Sequence, residues 1–520
     1  MLHLRAHKPA RSQAPKAPSP RAHTSSKRCG VRIAVAAFAF FVSACAVNPI
    51  TGERQLVLSS ASSENKAGAD EAKRVEAQVG LVTDTQFVDY VTAIGQRLVS
   101  EFPENDTTYT FAVVDMPEPN AFALPGGFVY VSRGLLALVN SEDELATVIA
   151  HEIGHVAAHH ASRRLTVAAP FAIVTGITSF ATSIVSPLLG NVVAGIGGLT
   201  TNLVVAPYSR EQEREADSLG MELAARSGWD PAALGSILHT MERDEKLHGS
   251  KASRFSFLSS HPSTPERVRA ATEQASELTI VPHDPIAADR TAVLRRLDGL
   301  VIGNDPAGGV IADNRFLHPE LDLALEFPDG WKIENGRAAV AAIAPKGDAL
   351  SMMRSADAGE DLTTVVRRAA TELGVGADTE IERTTIAGDK AARFETAART
   401  QEGTPVQLYL TCIDHHGAVL EVLGICALDR AATYANVLKK VPKTLRSLAV
   451  ADWPYIRATR LRLETASGGD TVTKVVVRSK SAWRPDEAAV ANGVETNSTL
   501  ADGFTVKLAV TEPYRKGAAK

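Results

Sequence analysis

Two histidines four residues apart with a glutamate between them, His151-Glu152-Ile153-Gly154-His155, constrain this 520-residue chain more than any other feature. On a helix, positions i and i+4 share a face, so both imidazoles can reach one ion while the glutamate lies beside them. The surrounding sequence supplies the helix. Ser141 with Glu144 three residues on reads as a capping box, and the pattern predicts a helix from Ser141 to about Arg164. Zn2+ suits such a pair because it accepts nitrogen and oxygen ligands and keeps one position open for water. The pKa of that water falls to about 7, and Glu152 stands where it can take the proton. The plain alternative is a helix carrying two satisfied histidines.

A third ligand must come from elsewhere. Ser209 with Gln212 opens another capped helix, ending near Gly228, on which Glu213 and Asp217 share a face. Ala216 and Gly220 are small and allow close helix packing. One carboxylate can bind the metal while the other orients a histidine, although alone the segment reads as a solvated, charge-rich helix. Together, His-Glu-x-x-His and the later Glu-x-x-Ala-Asp resemble the membrane-associated gluzincin peptidases: the CAAX prenyl proteases, the HtpX proteases and the periplasmic BepA-type proteases. The resemblance runs from about residue 62 to 275 and includes Asn120-Ala121-Phe122-Ala123 before Pro-Gly-Gly, and Tyr208-Ser209-Arg210. It implies one Zn2+ per chain on His151, His155 and Glu213, Glu152 as general base, and Asp217 behind the ligands. Glu211 and Glu215 fall outside the motif. By the same resemblance His261-Pro262 lies on a loop near the metal. His261 is then an inhibitory fourth ligand or a polariser of the scissile carbonyl; otherwise it is a loop histidine before the next helix. His159 and His160 fall in the last turn of the metal helix, where they favour its negative end.

Around this centre, Ser62 to Gly80 and Asp84 to Phe102 read as helices, the second with a stripe of Phe87, Val88, Val91, Ile94 and Leu98. Thr110 to Asp115 reads as a strand. Asn120 to Leu124 and Phe128 to Ser132 read as a hairpin on Pro125-Gly126-Gly127. An exposed edge there can hold an unfolded chain as an added strand; a core hairpin is the alternative. Asp230-Pro231 and Thr264-Pro265-Glu266 open two more helices. Between Leu165 and Ser209 lie 45 positions without a charge. Two membrane spans would need about 40 residues, but the prolines, glycines and hydroxyls favour an apolar hairpin facing membrane, partner or active-site mouth, or a buried core segment.

The peptidase-like domain thus covers 62–280. Residues 281–315 read as a linker with one helix, Asp289 to Leu300. A separate α+β domain follows at 316–450, with β runs at Leu321 to Phe327, Ala392 to Thr396, Val406 to Ile413 and Ala418 to Ile425, and helices at Leu362 to Leu373 and Asp429 to Thr444. Phe327-Pro328-Asp329-Gly330-Trp331 resembles the opening of a PsbP/Mog1-type sandwich. In 451–520, Gly469-Asp470-Thr471, a short helix at Ala491-Asn492-Gly493 and Leu500 to Val510 are similar to a degenerate LysM module, which implies peptidoglycan binding. A fold-capping βααβ unit without ligand is the alternative. The fold class is therefore multidomain α+β: a mostly helical zincin-type peptidase domain with a small edge-exposed sheet, a sandwich-like domain and a LysM-like unit.

The N-terminal residues read as an export signal. Residues 1–32 hold eight Lys/Arg and no Asp/Glu, then Ile33 to Val42 is apolar, giving a signal over 1–44 and a tether over 45–61. Val42-Ser43-Ala44-Cys45 resembles a bacterial lipobox, implying a lipid on Cys45. Ala46 in place of Asp implies the periplasmic face of the outer membrane of a Gram-negative bacterium. Cleavage would shift the net charge from −5 to −13, which argues against a nucleic-acid partner. Of four cysteines, Cys412 and Cys426 would then remain. A turn at His415-His416-Gly417 puts Cys412 opposite about Val419, leaving their pairing open. The reading is a zinc-dependent endopeptidase of unfolded or misassembled envelope proteins, membrane-bound through its lipid. Outer-membrane assembly machinery or peptidoglycan are the further partners considered. The alternatives are a chaperone-like assembly factor with restrained proteolysis, or a wall-bound binding protein.

Overall fold

The computed structural model describes residues 45–47, 54–56, 61–102, 107–161, 207–249, 256–262, 265–356, 360–376, 379–400 and 403–516. The expected signal over 1–44 and most of the apolar segment 165–209 lie outside the described residues. Cys45–Val47 pairs with Arg54–Leu56 in a two-stranded ribbon. No described helix is long and apolar enough to cross a membrane.

Asp84 caps the helix Thr85–Ser100 by accepting the Gln86 amide. The helix buries Phe87, Tyr90, Val91, Ile94 and Leu98, with Tyr90 where the sequence suggested Val88. This face meets the helix Glu142–Ala157, which bears the two histidines and is buried nearly all round. Beside it lies a three-stranded sheet. Thr110–Val114 runs parallel to Phe128–Ser132, which pairs antiparallel with the outer strand Ala121–Leu124. Gly126 and Gly127 make the hairpin at φ 81° and 90°, a region open to glycine at little cost. The outer strand is an edge as expected, yet all four of its side chains are buried.

The histidine helix ends at Ala157, not near Arg164. His159 sits at φ 53°, in the left-handed region, and breaks the ladder there. The helix Arg210–Arg226 crosses the histidine helix at very close range. A Cβ built on Gly220 would stand 2.7 Å from the His151 backbone nitrogen, so only glycine fits.

The segment 281–315 is not a free linker. Its helix Arg290–Leu297 buries Val293 and Leu297 in the peptidase core. Val301–Ile302 pairs with Arg457–Thr465, and the Val301 and Gly303 carbonyls accept bonds from buried Arg133. Arg457–Thr465 and Thr505–Pro513 flank the helices Val472–Arg478 and Pro485–Ala491, a βααβ order. This unit docks on the peptidase domain through fully buried Lys507, whose Nζ donates to the Ala137 and Val139 carbonyls at 2.9 and 2.7 Å.

The second domain holds a seven-stranded antiparallel sheet in the order 332–335, 340–343, 349–355, 418–427, 405–415, 389–399 and 382–386. Helices Leu362–Glu372 and Ala431–Lys440 pack on it. The expected Leu321 to Phe327 run instead forms the strand Leu323–Glu326 of a separate three-stranded sheet with Val310–Ala312 and Arg315–His318. The 405–415 and 418–427 strands pair His415 with Ala418, so Cys412 faces Glu421 rather than Val419. Cys412 and Cys426 are free and buried, and burial pushes the Cys426 thiol up to about 11.

Candidate metal centre

Four potential ligand atoms, from His151, His155, Glu213 and His261, lie within 4.8 Å of one another, and all four residues are buried. His151 Nε2 is 3.0 Å from His155 Nε2, and His155 Nε2 is 3.5 Å from Glu213 Oε1. His261 Nδ1 is 3.2 Å from His151 Nε2 and 3.0 Å from Glu213 Oε1. Ligands at 2.0–2.1 Å from a tetrahedral ion stand about 3.4 Å apart, so these spacings are close to what a tetrahedral metal ion needs.

The tautomers make the same point. His151 Nδ1 faces Asp217 Oδ1 at 2.9 Å, and a carboxylate can only accept, so the proton sits on Nδ1. Nε2 of His151 therefore presents a lone pair toward His155 Nε2, and such a convergence of electron pairs suits a cation. Glu152 supports this. Both of its oxygens are buried without a hydrogen-bond partner among the described residues, an expensive arrangement in the absence of a ligand or water. The donor set of two imidazoles and a carboxylate, with a further imidazole at the fourth corner, fits Zn2+.

Arg267 organises the carboxylates. Its Nε and Nη2 donate to Asp217 Oδ2 and Oδ1 at 2.6 and 2.7 Å, and its Nη1 lies 2.6 Å from Glu213 Oε2. Burial resists ionisation of Asp217, but the Arg267 bonds and His151 outweigh it and hold the carboxyl below its usual value. Glu213 is likewise held well below the usual carboxylate range: burial opposes this, and His261, His155 and His151 overcome it. Burial pushes the Glu152 carboxyl above its ordinary value, and the neighbouring His261 and His151 offset this only in part. The site thus holds one carboxyl below and another above its ordinary value, a division that would suit a metal ligand and a general base.

His261 stacks on Phe257, with ring centroids 4.3 Å apart at 14°, and its Nε2 is 3.5 Å from Glu152 Oε1. Tyr208 covers His155 at 4.0 Å between ring centroids. A cavity of about 110 Å³ opens between Tyr208, His155 and the Ala123-Leu124 end of the outer strand. A larger apolar cavity of about 340 Å³ lies behind Phe257, between Leu138, Met241 and Trp483, and includes none of the four ligand candidates.

Comparison with known proteins agrees with this geometry. Residues 88–275 match the sequence model of peptidase family M48. The chain carries a metallopeptidase domain of family M48. It is 28% identical over 235 residues to mitochondrial metalloendopeptidase OMA1 of Schizosaccharomyces pombe, covering 45% of this chain and 67% of that protein. It is 30% identical over 254 residues to the β-barrel assembly-enhancing protease of Yersinia pestis, covering 48% and 49%. The Escherichia coli K12 protease of the same name is 29% identical over 227 residues, 42% and 45% of the two chains. The chain therefore spans about half the length of these bacterial relatives. Cyanobacterial PsbP from Synechocystis sp. PCC 6803 aligns at TM-score 0.22 and 13% identity, over 27% of this chain and 96% of that one, too weakly to carry a fold argument.

Within the M48 domain, His151, Glu152, His155, Glu213 and Asp217 lie together, and so does His261, which the sequence placed there by resemblance and not by spacing. Glu211 is exposed and outside the centre. Arg267 had no assigned role in the sequence reading. Its place six residues past His261, on the next helix, was the available signal. The expectation for His160 is corrected. It is fully buried, with Nδ1 2.9 Å from His155 Nδ1, instead of resting at a helix end. Its other nitrogen reaches Glu215 Oε2 at 3.1 Å. His159 instead pairs with Glu64 at 2.9 Å.

Proposed function

We propose that this protein is a zinc-dependent endopeptidase that cleaves unfolded or misassembled proteins of the bacterial envelope. The observation that carries the hydrolytic reading is a buried Glu152, with no hydrogen bond to either oxygen among the described residues, beside a convergent His151–His155–Glu213 set. A zinc ion held there would polarise a peptide carbonyl and acidify a water beside it. Glu152 takes the proton of the attacking water, and its raised affinity for a proton lets it pass that proton to the leaving amine. Asp217, gripped by Arg267, holds the His151 ring in one tautomer, a positioning role. A client strand can lie along the outer strand Ala121–Leu124, whose second edge is unpaired among the described residues, at the mouth of the Tyr208 cavity.

His261 supports a restrained enzyme. Its Nδ1 stands at the fourth corner of the ligand set while its other nitrogen faces the base, so it excludes water from both. As polariser of the scissile carbonyl it would need to stand clear of that corner. The names of the Yersinia and Escherichia relatives favour an envelope setting over a mitochondrial one. The lipobox-like Val42-Ser43-Ala44-Cys45 favours a lipid anchor on the periplasmic face of the outer membrane. Cys45→Ala should then move the protein into the soluble periplasmic fraction; a variant that stays in the membrane pellet refutes the anchor. The βααβ unit is better read as a brace than as a wall-binding module, because Lys507 donates to the Ala137 and Val139 carbonyls and the Ala491 carbonyl accepts from Asn140 of the peptidase domain.

The experiment is cleavage of casein and of an unfolded outer-membrane protein by wild type, Glu152→Gln and His261→Ala, with zinc measured in each. Glu152→Gln should keep zinc and lose cleavage. His261→Ala should keep zinc and cleave faster. Equal cleavage by wild type and Glu152→Gln sinks the peptidase reading. A loss of order ~10²-fold in His261→Ala assigns that ring to carbonyl polarisation instead.

A further inference from the structure

We infer that His160 and Glu215 form a positioning relay that fixes the tautomer and aim of the ligand His155. The inference rests on the zinc reading of the site and deepens it. His155 Nδ1 and His160 Nδ1 are 2.9 Å apart, and His160 Nε2 is 3.1 Å from Glu215 Oε2. His155 and His160 are both buried, so these contacts form out of water.

The direction of each bond follows from the chemistry of its ends. Glu215 as a carboxylate only accepts, so His160 carries its proton on Nε2 and presents a lone pair on Nδ1. The His155 atom that faces this lone pair at hydrogen-bond distance is Nδ1. His155 therefore carries its proton on Nδ1, and its Nε2 lone pair is left for the centre shared with His151 and Glu213. The carboxylate at the end of the chain selects, through one imidazole, which nitrogen of another imidazole can bind metal.

The relay parallels the one on the other histidine. His151 leans on Asp217, which leans on Arg267; His155 leans on His160, which leans on Glu215. Geometry also explains why Glu215 escapes a helical reading. Positions 213 and 217 share a face of their helix, and 215 points elsewhere, toward the residues just past the His159 break. The left-handed turn at His159 swings His160 back against His155, which a continued helix to Arg164 would not do. The tilted Tyr208 ring, 4.0 Å from His155, closes the other face, so the imidazole is fixed by a hydrogen bond at its edge and packing on its plane.

Support of this kind is worth 10–100-fold in metal affinity. The test uses full-length protein carrying Glu152→Gln, which prevents self-cleavage, and measures the zinc dissociation constant by competition with a chromophoric chelator. His160→Asn and His160→Leu have the same shape and differ in one respect: Asn Oδ1 can accept the His155 proton. His160→Leu should bind zinc 10–100-fold more weakly, and His160→Asn should recover most of that loss. Melting of the metal-free proteins checks that both fold. If His160→Leu does not, Glu215→Leu takes its place, with an expected loss of roughly 3–10-fold because His160 can then change tautomer. Unchanged zinc affinity in the folded variant, or equal weakening by Asn and Leu, overturns the relay. Failure of the Glu152→Gln parent itself to take up zinc overturns the zinc reading, and the relay with it.

Discussion

Replacing Gly220 by alanine should damage the metal centre through the His151 backbone, without altering any ligand side chain. Gly220 is where the carboxylate helix presses on the histidine helix. Its missing Cβ would lie 2.7 Å from His151 N, 2.8 Å from His151 Cα and 3.0 Å from the Ala150 carbonyl carbon. These are backbone atoms of a buried helix, so no side chain can swing aside. Relief to ordinary contact near 3.4 Å requires the helices to part by about 0.7 Å. Overpacking of this kind costs about 1–3 kcal/mol. Glu213 and Asp217 ride on the moving helix, and both are aimed at His151 across 3.7 and 2.9 Å. A misplacement approaching 1 Å can lower turnover by roughly 10²-fold. The matched control is Gly235→Ala. That Cβ meets only Thr272 Oγ1 at 3.6 Å, so it should be neutral or stabilise by up to about 1 kcal/mol through helix propensity. Urea unfolding, zinc competition and casein cleavage on the two variants form the assay. If Gly220→Ala matches Gly235→Ala in all three, the close crossing does not position the ligands and the reasoning fails.

Two further outcomes follow from buried charge. Arg267→Met should destabilise the metal-free protein by about 3–5 kcal/mol, because Asp217 and Glu213 lose their shared buried cation; zinc should return part of that, and urea unfolding with and without zinc checks both. Burial lowers the His318 pKa to about 4, against 6.5 in the unfolded chain, so the folded state resists its protonation. That contribution is complete above pH ~6.5 and is lost as pH falls toward ~4, by about 3 kcal/mol in all. Unfolding of His318→Asn, which keeps an acceptor for the Leu321 amide, should show a smaller loss across that window; the same slope as wild type refutes the assignment.

The centre was legible where its chemistry repeats at helical spacing and illegible where it depends on a break or a crossing. His151 and His155, or Glu213 and Asp217, declare a shared face by their separation alone. The Ser209–Gln212 box forms in full, with each side chain on the other residue's amide. Of the Ser141–Glu144 box only half forms, since Glu144 turns to the Asn140 amide at 2.6 Å. Arg267 and His160 were unreadable because their partners lie 50 and 55 residues away on the carboxylate helix, and no local period records such a contact. Lys507 misleads for a related reason: a lysine in a strand suggests solvent, while here it feeds two carbonyls at the end of the Arg133–Leu138 helix. In the second domain, Lys332–Asn335 and Glu382–Ile386 are the outer strands of the sheet. Their polar character removes the alternation by which an inner strand is recognised.

Restraint by His261 has a structural consequence for how such an enzyme would open. The ring does not hang on a free loop. The Phe257 amide donates to the Pro119 carbonyl, and the Tyr208 amide to the Ser260 carbonyl, each at 2.9–3.0 Å. Pro119 lies two residues before the outer strand Ala121–Leu124, and Tyr208 leads into the carboxylate helix. Movement of His261 away from the centre therefore pulls on the strand that would receive a client and on the helix that supplies Glu213. Two backbone hydrogen bonds and one ring stack, at about 0.5–1.5 kcal/mol each, oppose it together with the ring's contacts to Glu213 and Glu152, so opening costs at least a few kcal/mol. An open state at that height is populated at the level of per cent or below. A strand added along Ala121–Leu124 acts on the same Pro119 segment, which gives client binding a direct mechanical route to the ring. Truncating the ring in His261→Ala removes the block without moving the segment. Its gain in turnover should accordingly exceed that of a variant that merely loosens the Pro119 contact.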